Sequence, residues 1–177
     1  MRKYLLSNVV LILIGLMLYS CDSSQSDKKP YGEGKIGVIT ARAMSHLGTN
    51  VPLKLIDDDV NTFWHSAEPA GNFGWVSISY PKPVKISKYS ITRRTDIWSQ
   101  SPVDFVLEGA IDREFQADQY SKNKWKIIDE QRAQDWSREA QKTYTIKQPK
   151  EFIHYRIRIL ATGDKAYASI AELGLIE

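Results

Sequence analysis

The sequence predicts an all-β domain of the sandwich or barrel class. Apolar residues recur with period two in short runs, Gly, Pro, Asn and Asp break those runs, and sustained helical spacing is scarce. Trp75-Val-Ser-Ile-Ser-Tyr80 sets Val76, Ile78 and Tyr80 on one face of a strand. Pro81-Lys-Pro83 is expected to end it, because proline cannot donate to a ladder. Val84 to Arg94 is a second long strand, Val103, Phe105 and Leu107 alternate in a third, and Lys124 to Ile128 is a fourth. Phe152 to Leu160 is the clearest: Ile153, Tyr155, Ile157 and Ile159 face one way while His154, Arg156 and Arg158 face the other. Ala171, Leu173 and Leu175 close the chain. A short helical turn fits Val51 to Leu55. Glu130 to Lys142 has poor apolar spacing and reads as a polar loop with at most one turn.

Ahead of this domain the chain opens with Met-Arg-Lys and an apolar run from Tyr4 to Tyr19. That run is shorter than the roughly 20 residues a helix needs to cross the hydrocarbon core. A short apolar run after a basic start is the pattern of a secretory signal. It ends in Leu18-Tyr19-Ser20-Cys21, which resembles the lipobox of bacterial lipoproteins. The resemblance implies cleavage before Cys21 and diacylation of that residue, and the alternative is an uncleaved anchor helix. Acyl chains contribute about 0.8 kcal/mol per buried CH₂, so two or three hold a protein on a membrane. Residues 22–33 are polar and Ser-rich and read as a flexible tether. The expected organisation is a signal peptide over residues 1–20, a lipidated Cys21 and tether over 21–33, and one domain over 34–177. The location is then the bacterial cell envelope; Asp22, directly after the cysteine, does not by itself choose between inner and outer membrane.

Charge and cysteine content narrow the field. The chain carries 24 basic and 21 acidic residues; losing Arg2 and Lys3 leaves it near +1. That balance argues against nucleic acid as a partner. Cys21 is the only cysteine, so the domain has no disulfide and stands on its core or on a metal.

Seven segments, in order, carry a resemblance to the discoidin domains, also called coagulation factor 5/8 C-terminal-type domains. They are Leu55-Ile-Asp-Asp-Asp-Val-Asn-Thr-Phe-Trp-His-Ser66, Trp75 to Tyr80, Val84 to Arg94, Ser101 to Asp112, Trp125 to Glu130, Tyr155 to Ile159 and Ala168 to Leu173. The resemblance spans about residues 35 to 177. It implies a jelly-roll β-sandwich of the galactose-binding-like fold with about eight strands, similar to family-32 carbohydrate-binding modules. Two positions depart from the family pattern: Asp58 stands where Gly is usual, and Ala110 where Ser is common. Asp tolerates positive φ better than most residues.

The same resemblance implies a structural calcium (Ca2+) site. The acidic turn packs many hard oxygens into few residues, and calcium takes six to eight of them. By position the ligands are Asp57, Asp59, Thr62 and Glu172, with carbonyls from Leu55 or Ala171. Without the resemblance, the run reads as a solvated acidic turn.

A sugar site needs an aromatic plane for C–H faces and planar multi-point hydrogen bonds for hydroxyls. The loop Arg93-Arg-Thr-Asp-Ile-Trp-Ser-Gln100 concentrates such groups. The resemblance implies that Arg94 contacts ligand, helped by Asp96 and Gln100, with His65 nearby and Tyr167 or Trp98 stacking. Each has another reading: His65 capping a turn, the arginines pairing with Asp96 on a solvated loop, Trp98 plugging the sandwich end. Trp64 and Trp75 are assigned to the core.

Nucleophile-elbow, helical His-pair and phosphate-loop motifs are all missing, so the sequence is not that of a recognisable enzyme. The expected function is a lipid-anchored, non-catalytic binding module at the cell envelope, with a glycan or glycoconjugate as partner. The alternative is an envelope interaction module whose loops bind a protein partner in a surface or transport complex. A third reading is a hydrolase with an unrecognised site.

Overall fold

The computed structural model describes residues 27–31, 36–43, 46–67, 74–111 and 125–177. Residues 1–20, expected as a signal peptide, and Cys21 and Lys124 lie outside the described residues. Eleven strands are described: β1 (Asp27–Tyr31), β2 (Ile36–Ala43), β3 (Trp64–His65), β4 (Trp75–Lys85), β5 (Lys88–Thr92), β6 (Pro102–Ala110), β7 (Lys126–Gln131), β8 (Gln141–Thr145), β9 (Glu151–Thr162), β10 (Ser169–Ile170) and β11 (Glu172–Ile176). The helical content among the described residues is two 3-10 turns, Pro52–Leu55 and Trp98–Gln100. All strand pairs are antiparallel. A six-stranded sheet runs β1-β2-β4-β9-β6-β7, a three-stranded sheet runs β11-β5-β8, and a two-stranded ribbon joins β10 to β3. This is the jelly-roll sandwich the sequence predicts.

The core lies between the sheets and is filled by the alternating residues of each inner face. Val76 and Ile78 of β4, Tyr155 and Ile157 of β9, and Phe105 and Leu107 of β6 meet Tyr89 and Ile91 of β5, all nearly or fully buried. Trp64 is fully buried in the same core. Trp75 is buried too, but on the opposite face of the large sheet, with Ala110 and Trp125. Arg156 and His154, read as the polar face of β9, are buried there as well. Glu108 accepts from Arg156 Nε and, at 3.0 and 3.1 Å, from Arg158. The Arg156 guanidinium lies 4.1 Å from the centre of the Trp125 ring.

Four expectations are corrected. Strand β4 continues through Pro81 and Pro83 to Lys85, because the ladder to β9 shifts register between Ser79 and Val84 and asks no amide of either proline. The stretch Val84 to Arg94 is therefore two strands, divided at Ile86 and Ser87. The polar segment Glu130 to Lys142 loses both ends to strand: β7 reaches Gln131 and β8 starts at Gln141. The edge strand β8 was hidden by its composition, since its one apolar residue is Tyr144, stacked 4.9 Å from Tyr89. Asp27–Tyr31, placed in the tether by composition, pairs with β2 as an edge strand.

Candidate functional site

One end of the sandwich gathers three loops. The first is β3 with its neighbours. The β3–β10 ribbon pairs His65 with Ser169 and Trp64 with Ile170. Ser66 N donates to Ala168 O at 2.9 Å, and Ala168 N donates to Ser66 Oγ at 3.0 Å. These bonds bring the ring of His65 to 5.0 Å from that of Tyr167. His65 Nδ1 lies 2.7 Å from Ser66 O; as the donor there, it leaves Nε2 with the lone pair in the neutral ring.

The second loop follows β5 and carries Arg94. Its side chain is held on three sides. Nε and Nη2 donate to Asp96 Oδ1 and Oδ2 at 2.9 and 2.7 Å, and Nη1 donates to Gln100 Oε1 at 3.0 Å. The guanidinium also lies 3.7 Å above the centre of the Phe63 ring. Hydrogen bonding from Arg94 keeps the Asp96 carboxyl below its ordinary range. The ion pair expected from the sequence thus forms, but on a buried guanidinium rather than a solvated one. Trp98 does not plug the sandwich: it is 48% exposed on the same loop.

The third loop, after β9, lies against the second. Asp164 N donates to Ser99 O at 2.9 Å, and Asp164 Oδ1 accepts from the amides of Ala166 and Tyr167 at 2.9 and 3.3 Å. A Cβ on Gly163 would sit 2.9 Å from Ser99 O, so the two backbones cross where only glycine fits. Arg94, Asp96 and Gln100 therefore form one unit, linked through Phe63 to His65 and Tyr167. Phe63 is the residue the sequence reading missed. Its signal was the alternation around Trp64: with Trp64 inward, Phe63 and His65 point the other way.

The acidic turn lies elsewhere, over the first residue of β11. Thr62 Oγ1 donates to Asp57, 3.0 and 2.8 Å from the two carboxylate oxygens. Asp59 N donates to Glu172 Oε1 at 3.1 Å. Asp58, at the family's usual Gly position, takes φ of 61°. Burial, hydrogen bonding to Asp57 and the charges of Asp57 and Asp58 push the Glu172 carboxyl up to about 7. Burial also raises Asp57, but hydrogen bonds from Thr62 and Lys54 outweigh it and hold that carboxyl low. The structure thus joins Asp57, Asp59, Thr62 and Glu172 around one turn. Among the described residues, no three His, Cys, Asp or Glu side chains are arranged to hold a metal ion. A cation here would draw on carboxylate, hydroxyl and carbonyl oxygens together.

The F5/8 type C domain model matches residues 39–173. The chain belongs to the F5/8 type C family. A search of curated proteins finds no match. Among solved structures, this F5/8 type C domain is similar to the family 32 module of Clostridium perfringens NanJ in complex with galactose. The identity is 23% and the TM-score 0.61, covering 77% of this chain and 92% of that one. It is also similar to CpGH89CBM32-5 from Clostridium perfringens, in complex with GalNAc-β-1,3-galactose, with 20% identity, TM-score 0.62, and 78% and 95% of the two chains covered. The family 32 module of AlyQ, in complex with 4,5-unsaturated mannuronic acid, shares 14% identity at TM-score 0.60, over 83% of this chain and 99% of that one. At these identities the likeness is one of fold.

Proposed function

We propose that this F5/8 type C domain is a non-catalytic carbohydrate-binding module, held at the bacterial cell envelope by lipid on Cys21. The observation that carries the binding reading is the Arg94 unit. A guanidinium fixed by Asp96 and Gln100 over Phe63 sits beside the His65–Tyr167 ring pair, on loops at one end of a rigid sandwich. Rings offer a face to sugar C–H groups, and the guanidinium N–H groups not engaged by Asp96 and Gln100 can donate to hydroxyls. Three modules of the same fold carry sugars in their structures, which supports a sugar rather than a protein partner. The lipid reading is supported by Leu18-Tyr19-Ser20-Cys21 following a short apolar run.

Calcium belongs to the same reading, as a structural ion. Asp57, Asp59, Thr62 and Glu172 would hold it, and the fit is in Glu172: two carboxyls pressed together retain a proton that a cation would displace. Bound, the ion would supply charge neutralisation that ties the acidic turn to β11.

The test is a glycan-array screen of the protein in calcium and in chelator, beside Arg94→Ala and Tyr167→Ala. Binding that disappears in both folded variants is the expected result. A blank array from a well-folded protein would defeat the glycan reading and direct the search to envelope protein partners by pull-down.

A further inference from the structure

We propose a second ligand site, lined by residues other than those of the loop-end unit, in a cavity on the outer face of the three-stranded sheet, for a neutral polyhydroxylated molecule of monosaccharide size. The inference does not rest on the loop-end reading. Tyr89, Ile91 and Leu175 turn inward to the core, so the alternate residues of β5 and β11 face outward. Cross-strand pairing sets them in two rows: Glu172, Thr92 and Gln141 in one, Gly174, Ser90 and Thr143 in the next. The turn bearing Ile56, Asp58 and Val60 forms the opposite wall, pinned to β11 by the Asp59–Glu172 hydrogen bond. Between them lies a cavity of about 290 Å³, at the lower edge of the range, about 300–1,000 Å³, typical of small-molecule sites.

Its floor carries hydroxyl and amide groups of Ser90, Thr92 and Gln141. Ser90 lines the cavity, is only 8% exposed, and its hydroxyl has no hydrogen-bond partner among the described residues. The hydroxyl opens onto the cavity and is available to a ligand there. Thr92 Oγ1 accepts from Gln141 Nε2 at 3.1 Å, which leaves its own O–H to donate. Gln141 Oε1 adds an acceptor. Gly174 keeps the floor open, since a Cβ there would lie 2.4 Å from Ser90 Oγ. Ile56 and Val60 supply an apolar wall for C–H groups, while Asp58 adds an acidic group to the rim. Paired donors and acceptors on one side and an apolar wall on the other fit a sugar or polyol without a carboxylate.

The experiment is a ¹H–¹⁵N NMR titration of the full chain at fixed calcium with galactose, glucose and glycerol in turn. Saturable shifts at the amides of Ser90, Thr92, Gln141 and Gly174 are expected with at least one of them. Ser90→Ala and Gly174→Ala should each weaken that response about tenfold, while any shifts at Arg94 and Tyr167 persist. No saturable shift at these four amides, or a response unchanged by both variants, overturns the site. If Gly174→Ala does not fold, Ser90→Ala decides, because its hydroxyl makes no hydrogen bond among the described residues. A response at the cavity with none at Arg94 would keep this site and remove the loop-end one.

Discussion

Glu108→Gln tests how the outer face of the large sheet is held. Glu108 and Arg156 have side chains 6% and 4% exposed, and Arg158 is 37% exposed. One carboxylate therefore balances two guanidiniums, and it does so where water is scarce. Burial lowers the pKa of Arg156, and Glu108 works against that shift. Glutamine keeps the shape but removes the charge, and its NH₂ would face an arginine N–H, donor against donor. Removing one partner of a buried pair costs about 3–5 kcal/mol. The Arg158 share is reduced by solvent screening and one carbonyl acceptor survives, so about 2–4 kcal/mol is expected. For a chain of this size that lowers Tm by about 6–12 °C. The assay is thermal and urea unfolding beside Glu130→Gln, which removes the exposed Glu130–Arg132 pair and should leave Tm unmoved. Equal, small shifts in both variants would refute the reasoning.

In chelator, stability should fall as pH rises from about 4.5 to about 7. Folded Glu172 keeps a proton there that the unfolded chain has lost, and the fall should be about 1–2 kcal/mol after solvent screening. Calcium should reverse the trend near pH 7, and a Tm that is flat or rising in chelator would sink the shared-proton account. Trp136→Phe removes the 2.8 Å bond from the buried Nε1 to Pro102 O; unfolding in urea should show a loss of about 1–3 kcal/mol. Trp98→Ala should leave Tm nearly unchanged, since the residue is about half exposed, and should weaken galactose binding measured by calorimetry; unchanged affinity would remove Trp98 from the stacking role. Cys21→Ser should abolish fatty-acid labelling and move the protein out of the membrane fraction; retained labelling would contradict the lipid reading.

The sandwich was legible because its core strands alternate. Val76 and Ile78, Phe105 and Leu107, and Tyr155 and Ile157 each announce an inner face. What alternation cannot show is a strand with a single apolar residue, as in β8 with Tyr144, or a ladder that steps around its prolines, as in β4. Nor does it show what covers the other face, so the burial of Arg156 and His154 was not readable from a polar pattern. The loop residues were legible in kind but not in arrangement. Arg94, Asp96 and Gln100 lie within seven positions, and their convergence needed the 3-10 turn at Trp98–Gln100. Phe63 belongs to a distant segment and meets Arg94 only in the folded molecule.

The Arg94 unit also shows how the proposed site can reside on loops without being loose. A free arginine gives up about 2 kcal/mol of rotamer freedom when it is fixed. Here folding has already met that cost, through a bidentate carboxylate, an amide and a ring. A ligand that accepts from the remaining N–H groups need not order the side chain again, so more of the contact energy appears as affinity. The same logic joins the other two loops. Ser66 ties β3 to Ala168, and Asp164 ties the third loop to Ser99. Specificity then follows from where fixed donors and ring faces stand relative to one another. On the proposed sugar reading, sequence change in these loops would alter the sugar read while the β-sheets beneath keep their register.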